Sequence, residues 1–316
     1  MIKEFADWLT YSLLGLSEES SLGSAINFFV YDSIKVTLLL AAVVFFIGIA
    51  RTFITPKKVK KWLGGKREGI GNVMAALLGV PTPFCSCSAV PLFIGFVEAG
   101  VPLGVTFSFL IASPLINEVA ATMLLAMFGW EIATLYIGSG IIIASATGIA
   151  IGRMGLESEV EDFVYKIKAN EVVEKQMNWK ERVRFGISES KDITTRVLPY
   201  LLVGIGIGGI IHGYAPGDFL ASVAGKDNPL AVPLAVLVGI PLYSNAAGMI
   251  PIIGVLISKG VAIGTALAFM MSVIGLSLPE IIILRKVLKP KLLAIFVVSL
   301  FISFVLTGYF FNYILG

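Results

Sequence analysis

The sequence predicts an all-α polytopic membrane protein, an inverted-repeat bundle with two broken or re-entrant helical hairpins. Three observations predict it: an apolar, charge-poor composition, an internal repeat, and basic residues gathered into three loops. Of 316 residues, 57% are hydrophobic before glycine is counted and only 14% are charged. Soluble chains hold roughly 45–50% apolar residues with glycine included and about 25% charged ones. Uncharged apolar stretches recur at Val36–Ala50, Ile132–Ile151, Val197–Ile211 and Leu292–Leu315. At about 1.5 Å per residue, the longer of these span the roughly 30 Å hydrocarbon core of a bilayer. The net charge of +3 is therefore a matter of loop placement, and gives no reason to expect nucleic acid as a partner.

The repeat has a spacing of 160 residues. Leu77-Leu-Gly-Val-Pro81 matches Leu237-Val-Gly-Ile-Pro241. Pro91 then matches Pro251, Gly100-Val101 matches Gly260-Val261, Gly104 matches Gly264, and Phe109 matches Phe269, all without a gap. Apolar composition alone does not align glycines and prolines in register. Internal repeats of this kind mark transporter folds.

Taken in order, residues 1–30 read as an N-terminal interfacial helix, because the short apolar run Trp8–Leu16 is flanked by Lys3, Glu4, Asp7, Glu18 and Glu19. Such flanks do not suit a cleaved signal. Residues 31–153 form the first membrane repeat. It has a span at Ile34–Thr52, an interrupted segment at Gly69–Ala99, and spans at Val101–Phe128 and Glu131–Ile151. Residues 154–195 are a polar cytoplasmic linker region. Residues 196–316 form the second repeat, with Val197–Ile211, an interrupted segment at Pro229–Ser258, Val261–Leu284 and Leu292–Leu315.

Basic clusters fall at Arg51–Arg67, Arg153–Arg196 and Arg285–Lys291, and the positive-inside rule puts all three in the cytoplasm. Three apolar segments separate consecutive clusters, and an odd number of crossings cannot join loops on one side. One segment per repeat should therefore enter and leave by the same face. The interrupted segments, broken at Gly79, Pro81 and Pro83 and again at Pro241 and Gly248, have arms too short to cross. The two hairpins then enter from opposite faces, and their tips approach near the midplane; the alternative is eight full crossings, with one basic loop on the other side.

The first tip reads Pro81-Thr-Pro-Phe-Cys-Ser-Cys-Ser88. Thr82, Cys85, Ser86, Cys87 and Ser88 bring two sulfurs and three hydroxyls to a helix start. Thiolates select soft, thiophilic centres, and a helix N-terminus favours the thiolate. The other reading of Cys85 and Cys87 is as small buried apolar residues. The second tip offers Tyr243, Ser244 and Asn245, which either orient a polar substituent or satisfy hairpin backbone. Polar breaks follow each hairpin, at Ser113-Pro-Leu-Ile-Asn-Glu118 and Ser277-Leu-Pro-Glu280. Glu118 is an intramembrane carboxylate, with Asn117 and Ser113 beside it. The group serves either as a coupling or polar pathway or as a cap on the broken helix. Glu280, five residues before Arg285, lies nearer the interface.

With His212 as its only histidine, the chain has no histidine-rich metal site. There is no Walker motif, so no ATPase site is expected, and Gly204-Ile-Gly-Ile-Gly208-Gly209 follows no strand. Neither catalytic residues nor a cofactor are expected.

At Pro81–Pro91 and at Ala112-Ser-Pro-Leu-Ile-Asn-Glu118, the chain resembles the ArsP-type permease family, and the resemblance extends over most of its length. It implies a secondary permease of the cell (inner) membrane, multi-pass, that exports trivalent organoarsenicals such as methylarsenite and so confers arsenical resistance. Cys85 and Cys87 would take the exchangeable positions on one arsenic. The expected partners are a small-molecule substrate and the lipid bilayer. Carriage of a sulfur compound or a soft metal ion is the alternative, and a membrane thiol oxidoreductase a more remote one.

Overall fold

The protein's computed structural model describes residues 2–18, 20–51, 69–80, 86–161, 164, 178–214, 228–242, 244 and 246–315. Among the described residues the regular secondary structure is all helical, joined by turns, apart from one isolated bridge between Val160 and Leu288. A short helix α1 (Ile2–Asp7) runs into a π-helical turn, Trp8–Leu13. The long helix α2 (Ser21–Arg51) follows.

It begins well before Ile34, where the uncharged apolar run starts. Ser20 Oγ accepts from the Gly23 N–H at 3.0 Å, as an N-cap does, and Asn27 Nδ2 donates to Asp7 Oδ1 at 2.8 Å. Local caps and one long-range bond thus extend a helix whose start hydropathy alone places too late.

The first half continues with α3 (Ile70–Gly79), α4 (Ser86–Glu98), α5 (Leu103–Leu115) and α6 (Glu118–Arg153). The second half has α7 (Trp179–Tyr214), α8 (Ala231–Gly239), α9 (Ala246–Ser258), α10 (Ile263–Gly275), α11 (Leu278–Leu284) and α12 (Pro290–Leu315). The bounds of α4 and α9, and of α5 and α10, coincide after the 160-residue shift found in the sequence. Gly100 and Gly260, with φ of 75° and 92°, make the same turn between them. Only a residue without Cβ takes that backbone freely.

Two of these helices depart from single spans. α6 is broken at Gly129 (φ 81°) into an outgoing arm, 118–128, and a return arm, 130–153. α7 starts at Trp179, inside the polar stretch, where Glu181 Oε2 accepts from the Asn178 N–H at 2.9 Å, half of a capping box. Its early basic residues, Lys180, Arg182 and Arg184, therefore extend a helix rather than a loop. Among the described residues, three helical stretches are long and apolar enough to cross a membrane: Glu118–Arg153, Ile263–Leu284 and Pro290–Leu315. The molecule is an all-α membrane protein.

Close approaches between small residues set the packing. α2 and α7 run antiparallel along much of their length: Gly186 meets Phe45 and Ile49, Ser190 Oγ donates to the Ala41 carbonyl at 2.7 Å, and Gly206 faces Phe29. A Cβ on Gly104 would strike the Gly148 carbonyl, and one on Gly264 would strike the Gly308 carbonyl. The same contact thus occurs once in each half, as expected where backbones must touch without a solvent-driven hydrophobic term. The largest buried cluster joins both halves: Phe107 packs on Phe93 (centroids 5.1 Å apart) and on Phe296 (5.7 Å).

The strongly basic end is stitched together. The Lys289 N–H donates to the Glu159 carbonyl at 2.8 Å, the Glu161 N–H to the Val287 carbonyl at 2.9 Å, and Arg285 pairs with Glu161 at 3.1 Å. This puts the end of α6 and the start of α12 at one level.

Candidate functional site

The site is built around chain breaks. α3 lies beside α5 and runs the same way: Asn72 Nδ2 donates to Ser108 Oγ at 3.0 Å near one end, and Gly79 abuts Ala112 and Ser113 near the other. α4 folds back along α5 across the short turn at Gly100, where the Val101 N–H donates to the Phe96 carbonyl at 3.0 Å, and it packs on α5 through Phe93–Phe107 and Phe96–Phe109, each at 5.1 Å. The arms α3 and α4 are therefore antiparallel, and the end of α3 and the start of α4 reach the depth of Leu115.

The second half repeats the arrangement. The Ser272 hydroxyl donates to the Val236 carbonyl at 2.6 Å, the Leu278 N–H donates to the Ile240 carbonyl at 2.8 Å, and α9 turns back onto α10 through Gly260. The C-terminal ends of α5 and α10 meet: a Cβ on Gly275 would lie 3.8 Å from Leu115 Cδ1. Exchanged contacts surround that point. α4 packs on α11 of the other half, and α9 packs on α6, with Gly254 against Met127.

Of the residues singled out in the sequence, Thr82, Cys85, Tyr243 and Asn245 lie outside the described residues. Ser86, Cys87 and Ser88 form the first turn of α4, and their backbone alone is described. Their N–H groups belong to a helix start, which carries positive partial charge. Ser244 is half-buried between α8 and α9.

Asn117 is the N-cap of α6. Its Oδ1 accepts from the Ala120 N–H at 2.8 Å, and its Nδ2 donates to the Pro114 carbonyl at 3.4 Å. That geometry makes Asn117 a structural cap at the break. Ser113 is fully buried and Glu118 half-buried, and neither Ser113 Oγ nor Glu118 Oε2 has a hydrogen-bond partner among the described residues. Glu280 is 2% exposed, on α11, at the repeat position of Ala120 rather than of Glu118. No group of three or more metal-binding side chains occurs among the described residues.

Sequence reasoning missed three polar residues packed inside the bundle, Asn72 and Tyr136 buried and Asn312 half-buried. Asn72, 2% exposed, ties α3 to α5 and accepts from the Gly69 N–H at 3.3 Å. Asn312 does the corresponding work at the opposite end: it donates to Thr265 Oγ1 at 3.0 Å and accepts from the Thr265 N–H at 3.1 Å. Tyr136 is fully buried, and its hydroxyl has no hydrogen-bond partner among the described residues. The available signal was a lone polar residue inside an apolar run, which is also how an interfacial or lipid-facing residue looks.

Comparison with known proteins agrees with this architecture. A family model described as a predicted permease, the ArsP type, matches residues 21–313. A UPF0718 protein of Methanocaldococcus jannaschii is 22% identical over 82% of this chain and 87% of its own length. A Streptococcus mutans protein named as a putative two-component membrane permease complex subunit is 22% identical, covering 79% of this chain and 82% of that one. The UPF0718 protein YraQ of Escherichia coli is 23% identical over 77% of this chain and 68% of its own. No solved structure matches.

Proposed function

Because the chain belongs to the ArsP-type family of predicted permeases, we propose that it moves a small thiophilic solute out of the cell through a site at the meeting point of its two broken segments. The solute class is a trivalent organoarsenical such as methylarsenite, and Cys85 and Cys87 are its exchangeable ligands. Ser86, Ser88 and Thr82 on one side, and Tyr243, Ser244 and Asn245 on the other, provide the polar lining. The protein is read as a multi-pass permease of the inner membrane. It lacks an ATP-binding motif and acts as a carrier rather than an enzyme.

The observation that carries this reading is the antiparallel course of α3 and α4 beside α5, with its counterpart in the second half. Such arms fit re-entrant hairpins: 10 and 13 residues are too few to cross a bilayer. Broken backbone at membrane depth persists where it lines a cavity or is packed in protein. α5 leaves the basic end, beside the end of α6, whereas α10 leaves the end where α12 finishes. This fits halves related by an axis in the membrane plane, and transporters of that kind bind substrate where their broken helices meet. A thiolate pair at a helix start suits a soft, electrophilic arsenic centre.

The test is uptake of radiolabelled methylarsenite, thiosulfate and Cu(I) by everted vesicles. Wild-type protein accumulates methylarsenite. The double variant Cys85→Ser, Cys87→Ser loses at least about tenfold in rate, equivalent to ~1.4 kcal/mol. Accumulation of thiosulfate or copper in place of methylarsenite moves the assignment to a sulfur compound or a soft metal. Unchanged methylarsenite transport by the double variant removes the thiol site.

A further inference from the structure

Three buried oxygens stand out, two at the break between α5 and α6 and one on the return arm of α6. Ser113 Oγ, Glu118 Oε2 and Tyr136 Oη are each buried without a hydrogen-bond partner among the described residues. A buried polar group without a partner loses its hydration with nothing in return, so three together ask for an explanation. Their order in depth follows from packing. Gly140 abuts Ile116 and Leu115 while Gly148 abuts Ser108, so the return arm of α6 runs antiparallel to α5. Tyr136 is one turn before Gly140 on the same buried stripe, which sets it beside the outgoing arm that Glu118 begins. From the basic end outward, the file reads Ser113, Glu118, Tyr136.

The charges around Glu118 favour an incoming cation. α3, α4, α5 and α9 supply no Lys, Arg or His inside their apolar lengths. α12 brings only Lys291, 66% exposed at the basic end and 3.7 Å from Glu159. The other charges of α6 are Glu131, exposed just past the Gly129 break, and Arg153 in its last turn. The C-terminal ends of α5 and α10, which meet at Leu115 and Gly275, add negative partial charge that offsets the positive N-terminal end of α6, where Glu118 follows the Asn117 cap. Half-helix C-termini beside an intramembrane acid are a setting for coupling cations.

We propose that Glu118 is a proton-binding site, loaded from the face opposite the basic loops past the Tyr136 hydroxyl, with the Ser113 hydroxyl as the acceptor on its inward side. The proton comes from hydronium at that face, forms the O–H bond on Oε2 and leaves to water on the basic side. No electrons move. The site depends on the permease reading only for its use in transport, so its test needs no substrate.

The test is infrared difference spectroscopy of the full chain in lipid nanodiscs across a pH series. Wild-type protein shows a protonated carboxyl stretch that titrates with pH and does not respond to sodium. Glu118→Gln removes it, and Glu118→Asp, the variant to use should the first not fold, moves it. Tyr136→Phe keeps the band but slows its deuterium exchange by roughly tenfold or more, as loss of a positioned relay does. An identical band in wild type and Glu118→Gln, or one displaced by sodium rather than by protons, overturns the proposal. Methylarsenite uptake fails or succeeds independently of this result.

Discussion

At the scale of single residues, buried Asn72 and half-buried Asn312 show how polar atoms survive in an apolar bundle. Asn72 uses its carbonyl for the Gly69 N–H and its amide for Ser108. Asn312 uses both ends on Thr265. Both side chains tie a neighbouring helix to the first turns of α5 or α10, one at each end of the molecule. Replacing Asn72 with alanine leaves the Ser108 hydroxyl its bond to the Gly104 carbonyl but removes the tie between the helices and strands the Gly69 N–H, at about 1–3 kcal/mol. A thermal melt of the purified protein should fall accordingly. Asn312→Ala should cost a similar amount, and the two losses should add, because distant sites are independent. These residues were visible in the sequence only as isolated polar letters. Which of them face protein rather than lipid depends on the neighbouring helix.

At the scale of elements, the repeat governs. The turns at Gly100 and Gly260 have the same left-handed backbone and join helices of matching bounds. Around Gly260 there is open space: a Cβ placed there would have no atom within 4 Å. Gly260→Ala should therefore cost only its backbone strain, about 1–2 kcal/mol. Gly264→Ala has helical backbone and should fail for a different reason, because its Cβ runs into the Gly308 carbonyl and, at 2.5 Å, the Asn312 backbone nitrogen, with the Asn312 side-chain oxygen at 2.7 Å. A melt comparing the two, each with Asn312→Ala added, separates strain from crowding: the added substitution relieves part of the second and none of the first. Helix starts were the least legible feature. α2 and α7 each begin upstream of their apolar cores, because Ser20 and the Asn178–Glu181 pair cap them. Hydropathy does not sense capping.

For the whole molecule, the proposed inverted arrangement makes a sidedness prediction. Glu98 ends α4 near the level where α5 begins, at the basic end. Lys259 follows α9 near the start of α10, at the other end. In a background free of Cys85 and Cys87, Glu98→Cys should react with a membrane-impermeant maleimide only from the cytoplasmic side, and Lys259→Cys only from outside. Labelling of both from one side would mean that the halves are parallel and that the two breaks enter from a single face. The Arg285–Glu161 pair at the basic end is partly exposed and contributes about 0–1 kcal/mol. Backbone pairing between Glu159–Glu161 and Val287–Lys289 fixes that end more firmly.

The sequence by itself determined the solvent, the helical class, the repeat and the places where helices must break, because composition, glycine and proline act locally and need no partner. It also singled out Ser113 and Glu118, since a polar break in an apolar span is legible wherever it occurs. Tertiary structure alone decided that Asn117 is a cap, that Glu280 is buried on α11, and that Tyr136 is buried on the return arm of α6. Those assignments depend on which face of each helix meets a neighbour. A one-dimensional pattern has no such information until Gly140 meets Ile116 and Gly275 meets Leu115.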